Sequence, residues 1–179
     1  MTSVLANVYS VDLVMTEPDS QRATARTSAM EQELSKAITE LFEHKIVFNE
    51  YLGFRYKGRE GTRVLIEFDM RPELVGHYMH GRLHGGVIST VLDAVGGLAV
   101  LWAISDFHKS ESVLQIMERF KALATIDLRV DYLRPGVGER FTAESEIVRL
   151  GRRIAATSSR LSCNEGKTIS TANATYIVS

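Results

Sequence analysis

An apolar run over residues 84–104 constrains the fold of this chain more than any other stretch. Its only formally charged side chain is Asp93, when His84 is counted as neutral, and many of its residues are small. The run contains no proline and is long for a strand, which predicts a helix. Because the helix is apolar on every side, we expect it to be buried. Each glycine in it costs about 1 kcal/mol relative to alanine, so these glycines should mark close approaches of surrounding backbone.

Length, charge and cysteine content narrow the class of protein. The chain has 179 residues, which suits one domain, and its net charge of −1 offers no basic surplus for a nucleic-acid partner. Cys163 is the only cysteine, so a reducing compartment is expected. About 20 apolar residues could cross a membrane, but Asp93 near the middle of the run argues against it. The first residues show no signal-peptide pattern, and a cytoplasmic protein is expected.

The remainder of the chain carries mainly strand signals. Apolar and polar residues alternate, with turn residues between the runs, over 64–70, 126–132, 141–147, 154–163 and 167–178. A hairpin turn at 56–61 would join the first run to a short arm at 54–56. Four or five antiparallel strands and one apolar helix must share a core, and a curved sheet wrapped around the helix is the economical arrangement. The predicted fold class is α+β.

An amphipathic helix is predicted ahead of this core. Ser28 and Glu31 match the S-x-x-E capping box. Apolar residues then recur at helical spacing from Met30 to Phe42, with charged residues on the other side. Such a helix must lie on another part of the protein.

The domain boundaries follow from these elements. We expect residues 1–27 to form a partly ordered arm and residues 28–179 to form a single domain with its core at 46–179. Within the domain, 46–52 is a second short apolar segment, and 105–121 has room for one more short helix.

Several features of the sequence then occur together. A His-Gly-Gly motif at 84–86 opens the apolar helix, and Asp93 follows its histidine by nine residues. The strand 125–135 ends in an aromatic residue followed by Leu-Arg-Pro. Together with the closing segment 172–176, these features resemble the hotdog-fold thioesterases of the phenylacetate-degradation type, in particular a bacterial branch called YigI. The similarity runs from about residue 46 to the C-terminus.

The resemblance implies a hotdog fold and hydrolysis of a fatty-acyl or aryl thioester of coenzyme A, which enters as part of the substrate with no separate cofactor. It assigns the Gly85 backbone N–H to the thioester carbonyl, and Asp93 to activating water or attacking directly. His84 completes the catalytic set, and we interpret it as holding the loop by hydrogen bonds rather than transferring protons.

Positions beside the motif are assigned to substrate binding. Gly86 and Thr90 belong to the first turns of the same helix. Related enzymes often carry an asparagine six or seven residues before the histidine, where this chain has Tyr78 and His77. His77 could supply the missing hydrogen bond.

Arginines are expected to bind the phosphates of coenzyme A. Arg134 lies at a strand end, and Arg152 and Arg153 follow a predicted turn. Arginine can bind phosphate in a bidentate fashion. The pair at 152–153 fits a solvated turn about equally well.

The acyl chain is expected to run beside the apolar helix. Val87, Val91 and the segment 105–121 are the candidates for setting chain length. Trp102 and Phe107 are interpreted as packing residues.

A distance argument predicts an obligatory dimer. Gly85 and Asp93 are eight residues apart on one helix, which places them roughly 12 Å apart along its axis. They cannot act on the same thioester carbon. Two antiparallel copies of the helix would bring Gly85 of one subunit beside Asp93 of the other, giving two equivalent sites. The family resemblance implies the same arrangement, and further pairing into a dimer of dimers is expected.

Structural alternatives stand beside these assignments. Asp93 could be a buried acid paired with an arginine or backbone N–H groups, and the glycines could simply allow a tight helix start. The spacing of His77, His80 and His84 permits a metal site, but no carboxylate or cysteine accompanies them, and we expect no metal.

Two other functions remain open. A hotdog hydratase or dehydratase would act on the same thioesters, usually with a catalytic histidine and an acid from the partner subunit. A non-catalytic acyl-CoA-binding protein is the second alternative, although residues 1–45 contain no helix-turn-helix pattern.

Overall fold

A computed structural model describes residues 26–163 and 166–178 of the chain. In this part of the chain, six antiparallel strands form one sheet in the order β1-β2-β6-β7-β8-β5, and a short hairpin forms a second. The strands are β1 (Arg55–Glu60), β2 (Arg63–Asp69), β3 (Val75–His77), β4 (Arg82–Leu83), β5 (Ala124–Tyr132), β6 (Arg140–Leu150), β7 (Ile154–Cys163) and β8 (Thr168–Ile177). The helices are α1 (Ser28–Glu40), α2 (Val47–Leu52), α3 (Gly85–Phe107) and α4 (Val113–Phe120).

The central helix α3 confirms the prediction made from the apolar run. It lies against β2 and against β5 to β8, so the sheet covers it along its length. It ends three residues later than predicted, because the polar residues there find tertiary partners. The Ser105 carbonyl accepts from the Arg26 guanidinium at 2.6 Å, and Asp106 accepts from the Arg59 guanidinium at 3.0 Å. By length and composition α3 could cross a membrane, but most of it is buried inside the domain.

The strand predictions are confirmed, with two corrections at the first hairpin. In β2, Val64, Ile66 and Phe68 face the core, and the other predicted runs alternate in the same way apart from β5. The described residues contain six strands in the main sheet rather than four or five, because β1 pairs with β2 as far as Glu60. The turn therefore lies after Glu60, and the predicted turn at 56–61 is wrong. A bulge at Gly58, with φ of 107°, lets β1 continue.

The N-terminal helix α1 is amphipathic as predicted and buries Leu34 and Ile38. Its cap is Thr27 rather than Ser28, since the Thr27 hydroxyl accepts from the Met30 N–H at 3.3 Å. Glu31 is engaged elsewhere, in an ion pair with Arg59. The predicted capping box therefore does not form, because the cap lies one residue earlier and the residue three positions after it is Met30.

A π-helical turn, Leu41–Lys45, joins α1 to α2. The short helix expected within 105–121 is confirmed as α4. Its capping box is made by Ser112 and Gln115. The predicted arm, apart from Arg26 and Thr27, and most of the predicted turn at 164–166 lie outside the described residues.

Strand β5 forms an edge of the sheet. It pairs with β8 on one side, and no strand within residues 26–163 and 166–178 pairs with its other side. Apolar side chains remain accessible on it, including Ile126, which is 56% exposed at a bulge, and Tyr132. An edge of this kind offers unpaired backbone groups to another chain.

Candidate active site

The amino terminus of α3 presents a backbone N–H group that can donate a hydrogen bond. His84 is the N-cap, and its Nδ1 accepts from the Gly86 N–H at 2.9 Å. Gly85 is the first helical residue, where the backbone N–H has no acceptor within the helix. A Cβ on Gly76 would lie 2.5 Å from the Cα of His84, so glycine lets the β3 backbone pack against the cap. The Tyr132 hydroxyl, from β5, donates to the Gly85 carbonyl at 3.1 Å.

Asp93 lies two turns further along the same helix and is partly exposed. Its Oδ1 accepts from the Thr125 hydroxyl at 2.8 Å, and the Tyr176 hydroxyl lies 3.4 Å from the same oxygen. Tyr176 also donates to the Asp93 carbonyl at 2.9 Å. Among the described residues, no group donates to Oδ2. The carboxylate is therefore held through one oxygen, and the other remains open to water.

Tyr176 reaches Asp93 because α3 has a glycine at position 96. A Cβ on Gly96 would overlap the Tyr176 hydroxyl and lie 3.0 Å from Cζ and 3.1 Å from Thr157 Oγ1. The glycine thus admits a side chain, whereas the sequence suggested an approach of backbone. Burial, followed by the nearby charge of Asp93, holds the pKa of Tyr176 far above its usual value. Tyr176 is consequently a neutral hydrogen-bond donor.

An apolar groove with a volume of about 280 Å³ begins at Asp93. It runs between α3, the segment 41–49 and the segment 120–125. Its lining residues are Leu41, Phe42, Ile46, Phe48, Asn49, Thr90, Asp93, Ala94, Gly97, Leu98, Leu101, Phe120, Leu123, Ala124, Thr125 and Tyr176. Its size and apolar walls suit the hydrocarbon part of a ligand.

The groove corrects part of the chain-length prediction. Val91 is fully buried in the core, and neither it nor Val87 lines the groove. Val87 lies one turn before Thr90, towards the amino terminus of α3 and ahead of the residues that line the groove. Phe120, from the predicted segment 105–121, does line the groove. The Thr90 hydroxyl donates to the Gly86 carbonyl at 2.8 Å.

The β3–β4 hairpin carries His77 and Tyr78, close in sequence to the start of α3. Tyr78 is 88% exposed, and its ring stacks on His77, which in turn lies beside His80. The hydrogen bonds of Asp93 within the subunit come instead from Thr125 and Tyr176. No group of three potential metal ligands occurs among the residues that the structure describes.

The predicted phosphate-binding arginines lie at opposite ends of the sheet within one subunit. Arg134 follows the end of β5, and its guanidinium donates to the Thr168 carbonyl at 2.8 Å. Arg152 and Arg153 lie between β6 and β7, at the end of the sheet where β5 begins. One subunit therefore does not bring all three arginines together.

Sequence reasoning missed Thr125, Tyr132 and Tyr176 as site residues. They lie 32, 47 and 83 residues from the positions they contact on α3, and only the folded sheet brings them there. The one signal for Tyr176 in the sequence was Gly96, because a glycine inside a buried helix indicates that a neighbouring group comes close.

Sequence similarity links this chain to known proteins. The family model of the thioesterase superfamily matches residues 80–170. A medium/long-chain acyl-CoA thioesterase YigI of Escherichia coli K12 is 39% identical over 143 residues, covering 80% of this chain and 92% of that protein. This chain belongs to the thioesterase superfamily.

A solved structure extends the match beyond the motif. The Shewanella oneidensis protein related to the thioesterase superfamily superposes with a TM-score of 0.78 at 34% identity, covering 86% of this chain and all of that one. The hotdog fold expected from the resemblance is confirmed. Membership of the superfamily makes the chain a thioester hydrolase.

Proposed function

We propose that this thioesterase hydrolyses medium- to long-chain fatty acyl-CoA to free fatty acid and coenzyme A. The apolar groove that begins at Asp93 carries this proposal, because it provides a place for an acyl chain directly beside a carboxylate. The similarity to the E. coli medium/long-chain acyl-CoA thioesterase supports the same substrate class.

The proposed chemistry needs one donor and one carboxylate. The Gly85 N–H binds the thioester oxygen as it becomes an oxyanion, which is worth about 3 kcal/mol in the transition state. Asp93 of the partner subunit removes a proton from water as the water oxygen attacks the carbonyl carbon. The carbon–sulfur bond then breaks, and the coenzyme A thiolate leaves and takes up a proton. Direct attack by the carboxylate, followed by hydrolysis of the resulting anhydride, would give the same products.

The edge strand β5 supports a site shared between two subunits. Its beginning carries Thr125, which binds Asp93, and its end carries Tyr132, which binds Gly85. If two copies of β5 pair antiparallel about a twofold axis, the Tyr132 end of one lies beside the Thr125 end of the other. The pairing would cover the exposed edge and bring Gly85 towards the partner's Asp93.

The same pairing supports the proposed coenzyme A contacts. It places Arg134 of one subunit at the end of the joined sheet where Arg152 and Arg153 of the other lie. We assign these arginines to the phosphates. His77 and Tyr78, which precede α3, are assigned to the substrate at the subunit interface.

The first turns of α3 complete the proposed site. His84 orients the helix terminus through the Gly86 N–H, and Thr90 borders the groove. We further propose that two dimers associate and that the enzyme works in the cytoplasm, where a single cysteine would remain reduced.

Purified protein assayed with acyl-CoA and a thiol reagent tests this proposal. Asp93→Asn should lose nearly all activity while the protein remains folded. Gly85→Pro removes the N–H at a helix position that favours proline, and His84 has the extended backbone, with ψ of 138°, that precedes proline well. We expect kcat to fall about 100-fold or more.

Gly85→Ala is the matched control because it keeps the N–H. Its Cβ would lie 3.6 Å from the Tyr132 ring, an ordinary contact, so it should lose much less activity than Gly85→Pro. Full activity of Asp93→Asn would refute the assignment of the carboxylate. Interconversion of enoyl and 3-hydroxyacyl thioesters would favour a hydratase instead.

A further inference from the structure

We infer that the segment 41–49, which precedes the part of the chain that carries the family motifs, sets the acyl chain length. Phe42 is the residue at which the chain stops. This inference rests on the proposed acyl-CoA hydrolysis. It assigns the specificity of the site to the π-helical turn Leu41–Lys45 and the start of α2.

The direction of the groove follows from the residues of α3 that line it. They run from Thr90 to Leu101, which is eleven residues or roughly 16 Å along the axis. The two ends differ in exposure. Asp93 is partly exposed and its hydrogen-bond partner Thr125 is exposed, whereas Phe42 and Leu101 are 4% and 2% exposed. The mouth therefore lies at Asp93 and Thr125, and the inner end lies at Phe42 and Leu101.

Phe42 is held too firmly to move aside for a longer chain. Its ring stacks on Phe54 at a centroid distance of 6.3 Å, and Phe54 packs on Phe68 in the core of the sheet. In the π-helical turn the Phe42 carbonyl accepts a hydrogen bond from a side chain, because the buried Asn49 amide donates to it at 3.0 Å. Single π-turns inside helices are often found at functional sites.

The capacity of the groove indicates what this stop selects. The groove has a volume of about 280 Å³ and closes at Phe42, so its inner wall limits how much of an acyl chain can enter. Removing the Phe42 ring should admit more carbons, and enlarging a residue nearer the mouth should admit fewer.

The test is the dependence of kcat/KM on acyl length, from butyryl-CoA to stearoyl-CoA, in the full-length protein. Phe42→Ala should move the optimum to longer chains and raise kcat/KM for an acyl group two to four carbons above the wild-type optimum about tenfold. The ratio of kcat/KM for that longer acyl group to kcat/KM for butyryl-CoA should rise in the same variant. Ile46→Trp, which narrows the groove between its ends, should move the optimum to shorter chains.

Val91→Ala is the control, because Val91 is buried on α3 but lies outside the groove; its optimum should stay that of the wild type. If Phe42→Ala fails to fold, Phe42→Leu and Ile46→Trp decide the question. Optima that stay in place in the folded groove variants would overturn this inference alone. A wild-type protein that hydrolyses none of these thioesters would overturn the proposed function itself.

Discussion

At the scale of single residues, the site depends on hydroxyl groups that are distant in sequence from the motif they serve. Tyr176 and Thr125 hold the Asp93 carboxylate, and Tyr132 holds the Gly85 carbonyl. Tyr176 stays a neutral donor because burial and the Asp93 charge raise its pKa. In the proposed mechanism these residues position the reacting groups, so their removal should affect the rate more than substrate binding.

Replacing Tyr176 with phenylalanine removes only the hydroxyl. We expect kcat to fall by up to about tenfold, since the hydroxyl donates its one proton to the Asp93 carbonyl at 2.9 Å and such a hydrogen bond is worth about 0.5–1.5 kcal/mol. KM should change little, because the ring still fills its place in the core. Steady-state kinetics and thermal unfolding measure the two effects, and an unchanged kcat in a folded variant would contradict a positioning role.

Two adjacent glycines of α3 provide a matched pair. Gly96→Ala should destabilise the protein by about 1–3 kcal/mol, because its Cβ would displace Tyr176. Gly97→Ala places its Cβ 3.8 Å from the same ring and should be neutral or stabilising by up to about 1 kcal/mol through helix propensity. Urea unfolding measures the change in the free energy of unfolding for both variants. Equal changes would show that the contact between position 96 and Tyr176 does not require a glycine.

At the scale of elements, the junction of α3 and α4 carries a titrating contact. His108 ends α3, and its Nδ1 lies 3.4 Å from Glu111, which also binds Arg119. Burial is the first cause that lowers the pKa of His108 below its ordinary value of 6.5, and Arg119 is the second, while Glu111 opposes them. The folded protein therefore binds this proton less readily than the unfolded chain.

The contribution of His108 to the free energy of unfolding is therefore fully present above pH 6.5. It declines as the pH falls, because His108 of the unfolded chain is protonated at a higher pH than His108 of the folded protein. His108→Gln should flatten the change in melting temperature between about pH 7 and pH 5. Glu111→Gln is the comparison. The hydrogen bond from Arg119 holds the pKa of Glu111 below its ordinary value of 4.5, so the loss associated with that carboxylate begins only below 4.5. A parent-like profile in His108→Gln would refute the assignment.

At the scale of the whole molecule, the proposed site requires two subunits. Gly85 and Asp93 sit on one unbroken helix, roughly 12 Å apart along its axis, and the edge strand β5 carries a partner for each of them at its two ends. Antiparallel pairing of two β5 strands would bring Gly85 of one subunit towards Asp93 of the other, and it would also cover the exposed edge of each sheet.

A heterodimer of two inactive variants tests the shared site. Gly85→Pro and Asp93→Asn, carried by differently tagged chains and purified as a mixed dimer, should show about half the wild-type activity, because one of the two sites contains neither change. Each variant alone should be inactive. An inactive heterodimer of confirmed composition would place both groups within one subunit.

The sequence by itself determined the central helix, most of the strands and the residues of the His-Gly-Gly motif. These follow from local patterns, because the spacing of apolar side chains specifies which face of a helix or strand is buried. The sequence also predicted that α1 is amphipathic. It did not predict the cap of α1, because Thr27 and Ser28 both suit that position and Glu31 forms an ion pair with Arg59 instead of capping the helix.

Only the tertiary structure decided which side of α3 faces a groove. It places Val91 in the hydrophobic core and Phe42 in the wall of the groove. It also decided that Thr125 and Tyr176 meet at Asp93. The physical reason is that α3 is apolar all round, so its own pattern does not distinguish the side that packs on the sheet from the side that meets a substrate. That distinction comes from the elements around it, which long-range strand pairing and the π-helical turn put in place.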